Sequence, residues 1–240
     1  MRKFAIIFAL CCLSLPAWSQ LPLAKAQCGH DVSCTPAAVN LTGATLIVVG
    51  VGSYDNTPTV SFSPAQTYLA TSLYSGISHM KLKMFYVYNP NINTSQSVTC
   101  SMQWGSCFIR VYNGTVTLSS VLDGQSGGHG GPGACLSVQP GAITPTGAGN
   151  LIVDMVTDLT NSGTTYAIDS GFSTPDTNPF VNGQSEPAAI SDLSDSSTSP
   201  VNPTWTLVGS QSDCTSMQAG FKLVAPSSPS DYKALVNMIR

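Results

Sequence analysis

Charge is what this sequence has least of. Only 9% of its 240 residues are Asp, Glu, Lys or Arg, and Glu186 is the sole glutamate. Nine basic side chains in the whole chain cannot neutralise an extended run of phosphates, so nucleic acid is excluded as a partner. No polybasic cluster favours an anionic lipid surface. Beyond residue 15 no apolar run approaches the roughly 20 residues of a membrane helix, so no membrane span is expected in the mature chain. Histidine is scarce too. His30, His79 and His129 are scattered and no Cys-x-x-Cys occurs, so a zinc site lacks its ligand spacing. No glycine-rich phosphate loop ending in Lys-Ser/Thr is present.

What is present begins at the N-terminus. Arg2 and Lys3 precede an apolar run over residues 4–15, which Pro16 ends. Ala17 and Ser19 are small residues at the −3 and −1 positions of a cut before Gln20. This is the pattern of a secretory signal peptide, residues 1–19. Ala24-Lys25-Ala26 offers a second cut, before Gln27. Leu10 before Cys11 does not fit a lipoprotein-type cut. Both cuts expose glutamine, which leaves no N-terminal histidine for a copper site. Removing residues 1–19 takes Arg2 and Lys3 from the nine basic residues and leaves seven against twelve acidic ones, a net charge of −5. The expected surface is therefore built from Ser, Thr, Asn, Gln and Gly. Such a surface suits extracellular life and neutral ligands such as glycans.

Cleavage also reduces eight cysteines to six, an even count that in an exported chain reads as disulfides. Cys100 and Cys107 flank an expected hairpin tip over residues 101–106, with both sulfurs on one side at cross-strand distance. Cys28 and Cys34 close a small N-terminal loop. Cys135 and Cys214 remain, and would tie the middle of the chain to the last strand.

Residues 20–40 read as a disulfide-tied lead-in, 41–225 as a β-sandwich domain and 226–240 as a C-terminal tail. Residues 44–52 are apolar on both faces, as in a central strand. Met80, Leu82, Met84 and Tyr86 alternate with polar neighbours. So do Val116 and Leu118, Trp205 and Leu207, and the set Met217, Ala219, Phe221 and Leu223. Turn residues separate these runs. The expected fold is all-β, an antiparallel sandwich of jelly-roll-like or immunoglobulin-like type. A short C-terminal helix is expected over residues 231–240, with Ser230 as its cap. An internal repeat is visible: Thr42-Gly43-Ala44 precedes Leu46-Ile47-Val48, as Thr146-Gly147-Ala148 precedes Leu151-Ile152-Val153. Two halves, not necessarily separate domains, would then begin with equivalent strands. The glycine-rich residues 124–133 read as the most flexible stretch, with a second loop over 191–200.

The segments LIVVGVGSYDNTPTVSFS, FYVYNPN, SVTCSMQWGSCFIRVYNG, GNLIVDMV and TWTLVGSQSDCTSMQAGFKL resemble a group of secreted bacterial β-sandwich domains. Such domains recur in soil-bacterium surface proteins, often beside immunoglobulin-like repeats. The similarity covers Leu41 to Val224 and its motifs are structural. It implies fold and export, and carries over no catalytic residue. Cys214 stands near where these domains tend to have a tryptophan, and the Cys100/Cys107 pair is a local addition.

Several patterns bear on chemistry. Gly124-Gln125-Ser126-Gly127-Gly128 matches G-x-S-x-G and is similar to the Gly-x-Ser-Gly-Gly of trypsin-like proteases. His129 and Asp123 lie beside it, so Ser126, His129 and Asp123 form a candidate triad. A nucleophile elbow needs a following helix, and no helical pattern follows. The competing reading is a turn-rich loop. Asp154 and Asp158 share one strand face at roughly 13 Å along the strand. That exceeds the about 5 to 9.5 Å that glycosidase carboxylates require. Asp169, Glu186 and Asp192 could instead converge in space. Asp192 and Asp195, with neighbouring serines, are candidate ligands for a structural calcium, the sole cofactor the sequence suggests. Trp104, at the tip of the clamped loop, is the candidate for stacking on a sugar ring, with Tyr86, Tyr88 and Tyr112 on nearby strands. Trp205 reads as core.

The expected function is a secreted, non-catalytic module that binds glycan or an extracellular protein partner. A hydrolase using Ser126 or loop carboxylates is the alternative, and a structural envelope protein a third.

Overall fold

The computed structural model describes residues 22–77, 79–116, 120–130, 133, 135–160, 163–169, 171–195, 197–209 and 213–224. The apolar leader and the segment expected to form a C-terminal helix lie outside the described residues. Every regular element within them is a β-strand, and every strand pair is antiparallel. No helix among the described residues is long and apolar enough to cross a membrane.

The first half contains β1 (Ala24–His30), β2 (Ser33–Cys34), β3 (Leu46–Tyr54), β4 (Thr59–Ser63), β5 (Leu69–Ala70), β6 (Tyr74–Ser75), β7 (Met80–Tyr88), β8 (Ser97–Ser101) and β9 (Gly105–Tyr112). Its inner sheet has the order β1-β9-β3-β7-β5, with β6 also on β7; its outer sheet has the order β2-β8-β4. The second half contains β11 (Leu122–His129), β12 (Ser137–Val138), β13 (Asn150–Asp158), β14 (Thr165–Ile168), β15 (Asp176–Asn178), β16 (Ala188–Asp195), β17 (Trp205–Val208) and β18 (Cys214–Phe221). Its inner sheet runs β11-β18-β13-β16-β15 and its outer sheet β12-β17-β14. A two-stranded ribbon, β10 (Thr115–Val116) with β19 (Leu223–Val224), joins the halves.

The halves share one connectivity. β1-β9-β3-β7 corresponds to β11-β18-β13-β16, and β2-β8-β4 to β12-β17-β14. In each half the chain alternates between inner and outer sheet, which is jelly-roll rather than immunoglobulin connectivity. β3 and β13, the two strands of the sequence repeat, are the equivalent centres of the inner sheets. The lead-in residues 24–34 supply the first strand of each sheet of the first half.

Strand alternation explains the layering. One face of the first inner sheet carries Leu46, Val48, Leu82, Met84 and Phe108. It packs on Leu151, Val153, Met155, Ile190 and Met217 of the second. Gly50 permits the approach: a Cβ there would come within 2.8 Å of Met155 Sδ. The opposite faces are also buried. Ile47, Val49 and Ile109 pack under Val60 and Val98 of the first outer sheet. Val156 and Ala189 pack under Trp205 and Leu207 of the second. Inner strands buried on both sides read as continuous apolar runs, as residues 46–51 do.

All three expected disulfides are present, with Cα–Cα separations of 6.1, 6.3 and 6.1 Å for Cys28–Cys34, Cys100–Cys107 and Cys135–Cys214. Their setting differs from the expectation. Cys100 and Cys107 do not flank a hairpin, because β8 lies in the outer sheet and β9 in the inner one. Cys28–Cys34 and Cys100–Cys107 each staple the first outer sheet to its inner sheet, and Cys135–Cys214 ties the segment just before β12 to β18. Within the first half, Cys28 faces Cys107 and Cys34 faces Cys100 in strand register.

Residues 124–129 are not a loop either, since β11 pairs along β18 through Thr215–Phe221. The glycines serve close approach rather than flexibility. A Cβ on Gly127 would lie inside the Tyr74 ring, and one on Gly130 would be 2.6 Å from Cys214 Sγ. Residues 191–195, expected in a loop, complete β16.

Candidate functional site

The candidate site lies at one end of the inner sheets, where the two halves meet. It is built on the arch between β8 and β9. Trp104 sits there with φ 39°, in the left-handed region. For a bulky residue this is a strained conformation, which persists only where surrounding structure enforces it. Two hydrogen bonds do so from opposite sides. Trp104 N–H donates to the Asp31 carbonyl at 2.9 Å, and the Trp104 carbonyl accepts from Glu186 N–H at 3.0 Å. Gly105 follows because a Cβ would run into the Gly52 carbonyl. The indole remains 39% exposed.

Aromatic rings extend from it in a row. Trp104 meets Tyr54, at the end of β3, with centroids 5.1 Å apart. Tyr54 stacks on His79 at 4.5 Å and 13°. His79 Nδ1 lies 2.9 Å from Asp55 Oδ1. Asp55 also has a positive φ, 55°. On the other side of Trp104, residues 180–186 close a cavity of about 230 Å³, lined also by Asn182, Gln184, Ser185 and Glu186. Ser106 Oγ–H donates to the Glu186 carbonyl at 2.9 Å, and Asn178 Nδ2–H to Ser106 Oγ at 2.8 Å. These bonds fasten the cavity wall, from the second half, to β9 of the first.

Glu186 is 8% exposed. Its Oε2 accepts from Thr160 N–H at 3.1 Å. Burial, opposed by that bond and reinforced by nearby Asp158, raises its pKa to about 7. Asp158 is buried behind it, and accepts from Tyr166 O–H and from Thr164 O–H, the latter at 3.0 Å.

The other candidates are dispersed. Tyr86 and Tyr112 are buried between the inner sheets, Tyr86 edge-on to Phe221. Tyr88 is 45% exposed, but it pairs with Leu46 while Tyr54 pairs with Met80. It therefore stands at the far end of the sheet, roughly 26 Å from the Trp104 end. None of the three tyrosines joins Trp104. Ser126 Oγ–H donates to the Gly141 carbonyl at 2.6 Å. His129, three residues along the same strand, points to the opposite face. Asp123 is held by Thr146, Asn150 and Lys222; against the opposing effect of burial, Thr146 and Lys222 pull its pKa down. The three do not assemble into a triad.

Asp192 is buried against Arg110 at 3.4 Å and accepts from Tyr112 O–H. Burial raises its pKa and Arg110 opposes the rise. Asp195 accepts from Ser197 N–H at 2.9 Å. Three residues apart on β16, the two aspartates face opposite sides. Asp169 accepts from Thr204 N–H at 2.7 Å, so Asp169, Glu186 and Asp192 occupy three separate settings. No group of three or more His, Cys, Asp or Glu suited to a metal occurs among the described residues.

Tyr54, His79 and the neighbourhood of Glu186 were not picked out from sequence as one site. They are separated by about 130 residues in the chain and meet only through the packing of the two halves. The lone glutamate was the one visible signal.

The fold defines a protein of two jelly rolls packed through their inner sheets, with an aromatic-edged cleft at the junction. Comparison with protein-family models, with curated proteins and with solved structures finds no match.

Proposed function

We propose that the protein is a secreted, non-catalytic module that binds neutral glycan at the Trp104 cleft. The observation that carries this reading is the exposed indole, held in a strained backbone conformation beside a cavity. An aromatic face presented on a fixed backbone suits a sugar ring, which offers apolar C–H groups on one face and hydroxyls at its edge. A preset loop reduces the ordering cost of binding. Asn182, Gln184 and Ser185 supply uncharged hydrogen-bonding groups at the cavity wall. The nearby Asp31 and Asp55 repel anionic ligands. Junctions between domains are common places for small-molecule sites. The basic start, the apolar leader and the disulfides support export.

A glycan array probed with the purified protein tests the reading. A binding glycan is expected. Trp104→Ala, checked for folding by near-ultraviolet circular dichroism, should weaken it by at least about 1 kcal/mol. Unchanged affinity in the folded variant removes Trp104 from the site. Absence of binding to any soluble or insoluble polysaccharide transfers the preference to a structural envelope protein.

A further inference from the structure

We propose that Glu186 is the specificity-determining hydrogen-bond donor of the Trp104 cavity: its neutral carboxyl donates from Oε1 to an acceptor oxygen of an uncharged sugar. This rests on the glycan reading above and names what the site recognises.

The geometry supplies the argument. Glu186 is more than nine-tenths buried yet lines the cavity. One oxygen, Oε2, is fixed by Thr160 N–H. No hydrogen bond to the other, Oε1, is made among the described residues, so it is the oxygen left for the cavity, and no cation pairs with Glu186 there. A carboxylate buried without a cation is costly, whereas a protonated carboxyl gains a donor. The charged and titratable groups around it do not change this. Asp158 on β13 adds negative charge, and Tyr166 on β14 and Tyr54 on β3 are neutral phenols whose own pKa values Glu186 helps to raise. His79 is one ring further away and is engaged with Asp55. The raised Glu186 pKa, about 7, agrees with the neutral form being accessible near physiological pH.

The ligand class follows. A donor beside an aromatic face takes a hydroxyl, ring or acetamido oxygen. Once Glu186 ionises, the cavity holds two acceptors where the sugar needs a donor. Anionic sugars meet Asp31, Asp55 and Asp158 as well. Affinity should therefore be greatest below pH 7 for neutral sugars, with uronates poor ligands at any pH above their own ionisation.

Because Glu186 is the only glutamate, protein labelled with carboxyl-¹³C glutamate gives one side-chain carboxyl resonance. The probes are cellotriose, chitotriose and tri-galacturonate, with binding followed by tryptophan fluorescence at pH 5.5 and 8.5. With the leader and its Trp18 removed, the indoles are Trp104 and the fully buried Trp205, so Trp104 is the responsive one. A neutral probe should bind about 30-fold more weakly at pH 8.5, since only about 3% of Glu186 is then protonated for a midpoint near 7. By linkage, the bound probe should move the ¹³C midpoint upward. Glu186→Gln keeps a donor and should bind with the same affinity at both pH values. If a probe binds at Trp104 with no pH dependence and no shift of the ¹³C midpoint, the role of Glu186 is overturned and the glycan reading stands. If tri-galacturonate binds best, the ligand class is overturned. If none of the probes nor any arrayed glycan binds, both readings fall.

Discussion

Trp205 Nε1–H donates to Asp154 Oδ1 at 2.6 Å, inside the second jelly roll, with both residues fully buried. Among the described residues Asp154 Oδ2 has no hydrogen-bond partner, and neither has Gln218 Oε1. The two residues face each other in the β13–β18 register. Gln218 Nε2 donates to the Gly141 and Val201 carbonyls, so its oxygen is the group left to be satisfied. Burial raises the Asp154 pKa well above its ordinary value, with the Trp205 bond opposing. A neutral Asp154 can donate from Oδ2 to Gln218 and satisfy both atoms.

Asp154→Asn therefore preserves shape and supplies the same donor without a titrating group. The sign is fixed by linkage. With its folded pKa raised, Asp154 holds more protons in the folded than in the unfolded protein, so its contribution is fully present below pH about 4 and is lost as pH rises. The Asn variant lacks that slope. Urea denaturation should find it within about 1 kcal/mol of wild type at pH 4 and progressively more stable than wild type toward pH 7. A variant destabilised at pH 7 by more than at pH 4 would show that Asp154 is buried as the anion.

Each disulfide ties an inner sheet to the layer over it, but they span different lengths of chain. Cys135–Cys214 closes a separation of 79 residues, Cys100–Cys107 one of 7. In the loop-entropy description the first contributes about 4 to 5 kcal/mol and the second about 2.5 kcal/mol. Paired Cys→Ala replacements measured by denaturant unfolding should reproduce that order. Equal losses would place the effect in native packing rather than in the unfolded chain. Non-reducing peptide mapping should find all six cysteines oxidised in the pairs described.

The strand content, the repeat and the cysteine pairing were legible because each rests on local pattern. Alternation marks a strand, the recurrence of Thr-Gly-Ala before Leu or Ile-Val marked β3 and β13, and spacing limited the pairings. Layering was not legible. Cys100 and Cys107 look like hairpin partners in sequence, and only the sheet order shows that they bridge layers. The exposure of Trp104 was readable from its place between two cysteines. Its partners Tyr54, His79 and Glu186 come from distant strand ends, which no local periodicity links. Tyr86 and Tyr112 misled for the opposite reason, since alternation gives a face but not whether that face meets solvent or a second inner sheet.

The glycine-rich segment gives the sharpest contrast between a composition reading and a packing one. In a flexible loop, Gly127→Ala would be tolerated or mildly stabilising. In β11 the new methyl would enter the space of the Tyr74 ring, at the contact between β11 and β6. Overpacking of this kind costs about 1 to 3 kcal/mol. Gly163→Ala, where a Cβ meets nothing within 4 Å, is the control and should lie within about 0.5 kcal/mol of wild type. Thermal denaturation of both variants decides between the readings, and a stable Gly127→Ala protein would restore the loop.

The strand β1 discriminates between the two signal cuts expected from the sequence. Its register runs from Ala24, opposite Val111, to His30, opposite Gly105. Leu23 N–H also donates to the Val111 carbonyl at 2.6 Å. A cut before Gln20 leaves this ladder whole. A cut before Gln27 removes Leu23, Ala24, Lys25 and Ala26. It deletes the Lys25–Asp176 ion pair, 3.0 Å long, which is partly exposed and adds little by itself. The larger effect is on β9, whose Ile109–Val111 edge loses its partner strand, and on the first outer core, where Ala24 and Ala26 pack. Several backbone bonds at about 0.5 to 1.5 kcal/mol each make the expected loss about 2 kcal/mol or more. The expected mature terminus is therefore Gln20. Mass spectrometry of the secreted chain reads the terminus directly, and denaturant unfolding of chains starting at Gln20 and Gln27 reads the cost. A natural terminus at Gln27 with undiminished stability would mean that the first half folds without the leading half of β1.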